Sequence, residues 1–105
     1  MQIQVNTDTN IAGDEPFLDY VIDEMRHRLR RFSPHLTRIE VHLADQNAGR
    51  AGVDDKRCTI GARLEHRQPV AVRCNASSVH QAIAGACDKL ARSLEHTLGK
   101  RVTSR

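Results

Sequence analysis

Aromatic side chains are scarce in this sequence, which has no Trp, one Tyr and two Phe among its 105 residues. The core must therefore be built from aliphatic residues and Ala, and a hydrophobic fraction of 39% is enough for one modest core. The length is close to the usual size of a single domain. The scarcity also argues against the paired surface aromatics that some RNA-binding sheets use to stack bases.

The sequence lacks the cysteine pattern of a disulfide-bonded or zinc-binding protein. Its cysteines, Cys58, Cys74 and Cys87, are odd in number and irregularly spaced. Each falls within an apolar pattern, which predicts buried, reduced thiols. No apolar run approaches the ~20 residues of a membrane span, and the first residues lack the charged leader of a targeting segment. We therefore expect a cytoplasmic protein without a membrane partner.

Catalytic and ligand-binding motifs are also missing. There is no glycine-rich phosphate loop, no HExxH zinc motif and no GxSxG nucleophile motif. The six His are scattered and none pairs with Cys or another His at metal-ligand spacing. We predict no enzyme activity, cofactor, metal or small-molecule substrate. Two alternatives stay open: a cation bound by the loop at residues 45–55, where turn chemistry is favoured, and a redox pair of Cys58 and Cys74, where core packing is favoured.

Four strands are predicted by apolar residues that alternate with polar ones. They cover residues 1–7, 37–44, 57–65 and 69–76. The last two are separated by a turn at His66–Gln68 and form an antiparallel hairpin. Each strand is apolar on one face, so one side of the sheet is expected to be covered.

Two amphipathic helices can supply that cover. Asp14 is expected to cap the first, and Ser33-Pro34 to end it. The second is predicted from about Ser78 to Leu98, with Ser77 or Ser78 as its cap and Gly99 at its end. The residues expected to face the core are Leu18, Val21, Ile22, Met25, Leu29 and Phe32 in the first helix and Val79, Ile83, Ala86, Leu90 and Leu94 in the second.

The element order is therefore β-α-β-β-β-α. We predict an α+β two-layer sandwich, in which two helices cover one face of a four-stranded mixed sheet. The first two strands are expected to be parallel, because a long helix links them. One domain should span residues 1–105, with a flexible basic tail at about 99–105.

Positive charge gathers late in each helix. The first has Arg26, Arg28, Arg30 and Arg31 near its end, more than the helix dipole alone would favour. In the second, Lys89, Arg92, His96 and Lys100 fall within an arc of about 80° at 100° per residue. Asp88 and Glu95 lie outside this arc, and Gly85 lies in it one turn earlier, which would leave room for a ligand backbone.

The segment from Lys89 to Arg105 carries five Lys or Arg and one acid, a net charge of +4 within a chain of net charge +3. A cationic stripe on a rigid helix suits a phosphate backbone, with binding that weakens steeply with salt. A solvated surface is the alternative. The open sheet face is basic too, with Arg38, Glu40, His42, Arg57, Thr59, Arg63 and Arg73.

These residues resemble the ribosome hibernation-promoting factor and ribosome-associated inhibitor family, once described as sigma-54 modulation proteins. In the segment SSVHQAIAGACDKLARSLEHTLGKR, Ala82-Ile83, Lys89-Leu90, Arg92 and Leu94 match the family's second helix. The segment VHLADQNAGRAGVDDKRC resembles a divergent branch of short, single-domain members. The strand order is also similar to that of double-stranded-RNA-binding domains, with an extra first strand. His80 stands where the family usually has Tyr.

The resemblance implies a protein that binds the small ribosomal subunit and its rRNA, occludes the mRNA and tRNA channel, and inhibits translation in slow growth or stress. A divergent member that binds another structured RNA or a protein is the alternative. Lys89 and Arg92 carry over directly, and His96 stands where Lys is common. The full predicted RNA-binding set is Lys89, Arg92, His96, Lys100, Arg101, Arg26, Arg28, Arg30 and Arg31. The sequence leaves self-association and the choice between 70S particles and free subunits open.

Overall fold

A computed structural model describes residues 1–46 and 55–99 of the chain. The α-helices are α1 (Glu15–Arg28) and α2 (Val79–Leu98), and a 3₁₀ helix spans Arg30–His35. The strands are β1 (Gln2–Thr7), β2 (Leu36–Asp45), β3 (Lys56–Leu64) and β4 (Val70–Ala76). No helix among these residues is long and apolar enough to cross a membrane.

The sheet has the order β1-β2-β3-β4. β1 and β2 are parallel, and the other two pairings are antiparallel. Both helices contribute to the single buried core cluster on one face of this sheet. The predicted two-layer fold, the parallel first pair and the three-stranded meander are therefore confirmed.

The register of the sheet builds the core in rows. Ile39 lies between Ile3 and Ala62, and the next row sets Val41 beside Ile60. Aliphatic side chains thus meet across neighbouring strands, which is how a pleated sheet stabilises its buried face. The helices add Val21, Met25, Leu29, Phe32, Ala82, Ile83, Ala86, Cys87, Leu90 and Leu94, all buried.

The first helix differs from its prediction in length and in its buried face. The α-helix ends at Arg28, and the chain continues as a 3₁₀ helix that includes Pro34. Proline disfavours the α conformation at the preceding residue and clashes with the carbonyl four residues before it, whereas a short 3₁₀ turn accommodates it. Leu18 and Ile22 stay partly exposed, while Phe17 and Tyr20 pack against the core.

The helix ends follow the sequence signals. The Asp14 carboxylate accepts a hydrogen bond from the Phe17 backbone N–H at 3.0 Å, and the Ser78 hydroxyl accepts one from Gln81 N–H at 3.1 Å. Each cap satisfies a backbone donor that the first turn leaves free. At the end of α2, Gly99 has a φ of 81°, a conformation that favours glycine.

The two α-helices run in the same direction. Tyr20 Oη lies 2.7 Å from His80 Nδ1 near their starts, and Cys87 Sγ lies 3.9 Å from Met25 Sδ farther along. Beyond α1, Arg31 contacts Glu95 near the end of α2. Because both helices become basic toward their C-terminal ends, this parallel arrangement brings the basic ends to the same end of the molecule.

Two of the three cysteines are buried as predicted. Burial raises the pKa of both the Cys58 and Cys87 thiols to about 12, which makes them poor nucleophiles. Cys74 lies directly opposite Cys58 in the sheet but is only half-buried. All three are free thiols, so the structure gives no support to a redox pair.

Candidate nucleic-acid interface

The cations of α2 lie on its side nearest β4. Lys89 Nζ donates a hydrogen bond to the Arg73 carbonyl at 2.9 Å, on the edge strand. Because a carbonyl carries no net charge, it holds the ammonium in place without compensating its positive charge. Arg92 and His96 are exposed, and among the described residues no carboxylate lies within ion-pair distance of any of the three.

Gly85 does not leave room for a ligand, and the interpretation from sequence is wrong here. The Cys74 side chain of β4 fills the space where a Cβ of residue 85 would lie. The glycine therefore permits close packing of α2 on β4. This packing also sets Lys89, one turn later, close enough to reach the strand carbonyl.

The first basic segment contains the predicted cations Arg26, Arg28, Arg30 and Arg31. Two of these arginines are paired with acids. Arg28 Nε lies 3.2 Å from Glu24 Oε1, and this hydrogen bond raises the pKa of Arg28 above its ordinary value. Arg31 contacts Glu95 of α2 and lies over the Phe32 ring at 4.6 Å from its centroid. The Arg28 and Arg31 side chains are 36% and 50% exposed, so these pairs contribute little stability and can exchange for another anion.

A shallow groove between the helices contains acids as well as bases. It is lined by Arg28 and Arg31 from the first basic segment and by Asp88 and Ala91 from α2. Asp88, like Glu95, therefore lies between the cations of the first segment and those on the β4 side of α2. The cations of the two helices therefore do not form one continuous basic surface.

Arg26 of α1 and Arg30 of the 3₁₀ helix lie on the other flank of this helical segment. They line a depression with Met1 and Asp23, beside the free edge of β1. No carboxylate among the described residues lies within ion-pair distance of either guanidinium. Those predicted cations that lie within the described residues thus form three groups. Lys100 and Arg101 lie outside the described residues.

Arg67 is a cation of this region that the sequence patterns missed. It lies in the turn between β3 and β4, where His66 has a φ of 62°, and its Nη1 donates to the Thr97 carbonyl at 3.1 Å. The contact joins the turn to the last turn of α2. A sequence signal existed: α2 follows β4 after a short connection and runs back along it, so it ends level with the turn before β4, but helical spacing alone does not report this.

The opposite end of the helices carries an aromatic contact that ties them together. The Tyr20 and His80 rings pack edge to face with centroids 5.0 Å apart, and Phe17 lies 6.3 Å from Tyr20. Burial, followed by the nearby Glu24 carboxylate, raises the pKa of Tyr20. At the position where the resemblance expects Tyr, His80 accordingly acts as a structural partner of α1.

The base of the loop between β2 and β3 is closed by a small ionic cluster. Lys56 Nζ lies 2.8 Å from Asp55 Oδ1 and 3.5 Å from Asp45 Oδ2. The hydrogen bond lowers the pKa of Asp55 and raises that of Lys56. Within residues 1–46 and 55–99, no group of three or more His, Cys, Asp or Glu is arranged to hold a metal ion.

Comparison with known proteins identifies the family. The family model described as "Sigma 54 modulation protein / S30EA ribosomal protein" matches residues 3–102. The chain belongs to this family. Membership indicates a ribosome-associated protein and confirms the resemblance seen in the α2 segment. No curated protein sequence matches the chain significantly.

Solved structures agree on the fold. The N-terminal domain of Protein Y from Thermus thermophilus is 22% identical with a TM-score of 0.71, and the match covers 92% of this chain and 99% of that domain. A ribosomal subunit interface protein from Coxiella burnetii is 11% identical, also with a TM-score of 0.71, over 92% and 97% of the two chains. At these identities the likeness is one of architecture.

Proposed function

We propose that this protein binds the small ribosomal subunit through its rRNA and, by occupying the channel used by mRNA and tRNA, inhibits translation when growth slows or under stress. The supporting observation is that the parallel helices bring their cationic ends to one end of a rigid domain. The family assignment supports the ribosome as the partner of this surface.

The strongest candidates for rRNA contact are Arg26, Arg30, Lys89 and Arg92, whose charges are not compensated by carboxylates of the described residues. Charge-assisted hydrogen bonds from such groups to phosphate are about twice as strong as neutral ones. Each phosphate contact also releases counterions, so affinity falls as salt rises. His96 lies beside them and supplies a further ring N–H.

Arg28 and Arg31 have a secondary role in this proposal. Each would exchange an exposed carboxylate for a phosphate, so part of the gain is offset by the pair that is lost. Since a guanidinium can bind phosphate in a bidentate manner, the exchange stays favourable where RNA approaches the groove closely. Lys100 and Arg101 are retained as proposed contacts, since they continue the basic sequence.

Sedimentation with purified small subunits tests the proposal. The wild-type protein should travel with the subunits at low salt and dissociate at high salt. The charge reversal K89E/R92E should abolish co-sedimentation, and K89Q/R92Q should reduce the slope of log affinity against log salt by about two. The double variant R28Q/R31Q removes the same net charge from paired arginines and should weaken binding less.

Two results would contradict the proposal. One is sedimentation of K89E/R92E with subunits at wild-type levels. The other is equal affinity of the wild-type protein for any RNA duplex of similar length, which would favour the alternative of a family member that binds structured RNA without ribosome preference. An inhibition assay in a translation extract, with the same variants, connects binding to its effect.

A further inference from the structure

We infer that the open face of the sheet, opposite the helices, is a second RNA-binding surface that contacts phosphates through Arg57, Arg63 and Arg73. This inference rests on the proposed function and extends it: a domain lying in an RNA-walled channel would be bound from both sides. The two helices leave this face uncovered, since they pack on the other one.

The charge of this face is less mixed than that of the helices. Within the four strands Glu40 is its one acidic residue, and Arg38 Nη2 donates to Glu40 Oε2 at 3.3 Å. Arg38 also contacts the Gln2 and Gln4 side chains. The single acid and its partner thus neutralise each other, and Arg57, Arg63 and Arg73 remain as uncompensated cations among the described residues.

Arg57 has a donor that lacks an acceptor. Its Nε is covered from solvent and makes no hydrogen bond, whereas buried polar atoms normally have a partner. Arg57 of β3 is the register partner of Asn75 of β4, and Thr59 is the partner of Arg73. The two guanidinium groups therefore originate from diagonal neighbours on one face, about 7–8 Å apart at their backbones.

The centre of the face is flat and open. Gly61 and Ala71 are register partners there, and a Cβ built at Gly61 would meet nothing within 4 Å. Along β3, Arg57 and Arg63 are separated by about 20 Å at 3.4 Å per residue. The cations at the two ends of β3 therefore flank an unobstructed floor on which a phosphate backbone can lie.

The residue types favour a nucleic-acid backbone over a protein partner. Protein interfaces depend on buried aromatic or aliphatic anchors at their centre, and here the centre is Gly61 and Ala71. Base stacking by an RNA-binding sheet would need paired aromatic side chains, and the outer positions of the strands carry no Phe, Tyr or Trp. What the face offers is arginines, and planar guanidinium groups match the oxygens of phosphate.

The test compares two triple variants of equal charge. R57Q/R63Q/R73Q neutralises the sheet face, and R26Q/R30Q/R92Q neutralises the helical side. Affinity for small subunits is measured from 50 to 300 mM salt, and circular dichroism confirms that each variant is folded. Because Arg57 is half-buried, R63Q/R73Q serves as a second sheet-face variant. R38Q is a single-site control, since the Arg38 guanidinium of the wild-type protein is already paired with Glu40.

We expect the sheet variant to lose at least about tenfold in affinity and to lower the salt slope by about three, as the helical variant does. Wild-type affinity and slope for both sheet variants, with loss confined to the helical variant, would overturn this inference and leave the proposed function intact. Failure of the wild-type protein itself to bind subunits would overturn both.

Discussion

Individual residues show how closely the two layers are fitted. Gly85 allows α2 to approach β4 because the Cys74 side chain occupies the space beside it. Lys89 then reaches the Arg73 carbonyl. A candidate binding residue is therefore positioned by a packing contact one turn away, and changes at that contact should affect both stability and binding.

The substitution Gly85→Ala should destabilise the protein by about 1–3 kcal/mol, because the new methyl group overlaps the Cys74 sulfur. Chemical denaturation of the variant measures the loss. The double variant G85A/C74A should recover much of it, since Ala at 74 removes the overlapping atom. Additive losses in the double variant would show that the contact does not set the packing distance.

At the scale of elements, the capping residues mark where the helices begin. The ionic cluster of Asp45, Asp55 and Lys56 joins the end of β2 to the start of β3. The caps were predictable as Asp14 for α1 and as either Ser77 or Ser78 for α2, because these are favoured residue types immediately before apolar periodic segments. The end of α1 was not, since the residues after Arg28 keep the helical spacing of apolar groups. The chain instead tightens to 3₁₀ geometry while Leu29 and Phe32 stay buried.

Ser78→Ala should lower the free energy of unfolding by about 1 kcal/mol, because the Gln81 N–H loses its acceptor. Urea denaturation measures the change. Ser77→Ala is the neighbouring control: the Ser77 hydroxyl bonds the Gln81 side chain and caps no backbone donor. A loss as large in S77A as in S78A would contradict the assignment of the cap.

The ionic cluster at the ends of β2 and β3 should make stability depend on pH. Asp55 has a pKa below its ordinary 3.8 because of Lys56, so its contribution is present above that pH and is lost as pH falls through the lowered pKa. Lys56 has a pKa above 10.5, so its contribution is present below pH 10.5 and is lost as pH rises through the raised value.

Lys56→Met should therefore lower the melting temperature at pH 7, where two carboxylates would lose their cation. The difference from wild type should shrink below about pH 4, because protonation of the carboxylates removes the need for a partner. Thermal denaturation at pH 7 and at pH 3 provides the comparison. A difference that stays constant over this range would mean that the cluster contributes through packing alone.

At the scale of the whole molecule, the residues proposed to bind RNA and those that form the core are largely separate. The core is aliphatic and lies between the layers, while the uncompensated cations lie at the basic ends of the helices and on the open sheet face. Exposed charges without partners contribute little to folding. The proposed RNA contacts should therefore be removable without unfolding the protein.

The variant R26Q/R30Q/R92Q should keep its free energy of unfolding within about 0.5 kcal/mol of wild type, and repulsion among like charges at that end should fall. Melting curves at low and high salt measure this. A loss of more than about 2 kcal/mol would show that these arginines are structural, and the binding data on the variant would then need a milder substitution.

The sequence by itself determined the element order, the buried face of each strand, the cap of the first helix and the family, since these depend on periodicity and on short-range chemistry. Only the tertiary structure decided which cations are uncompensated. Arg28 and Arg92 look alike in the sequence, yet one bonds Glu24 and the other has no carboxylate within ion-pair distance among the described residues. Likewise Arg31 contacts Glu95, 64 residues away. The i,i+4 spacing of Glu24 and Arg28 permits that pair locally, but Asp88 and Arg92 have the same spacing and do not come within ion-pair distance. A pair such as Arg31 with Glu95 depends on a distance across the fold, which local spacing does not encode.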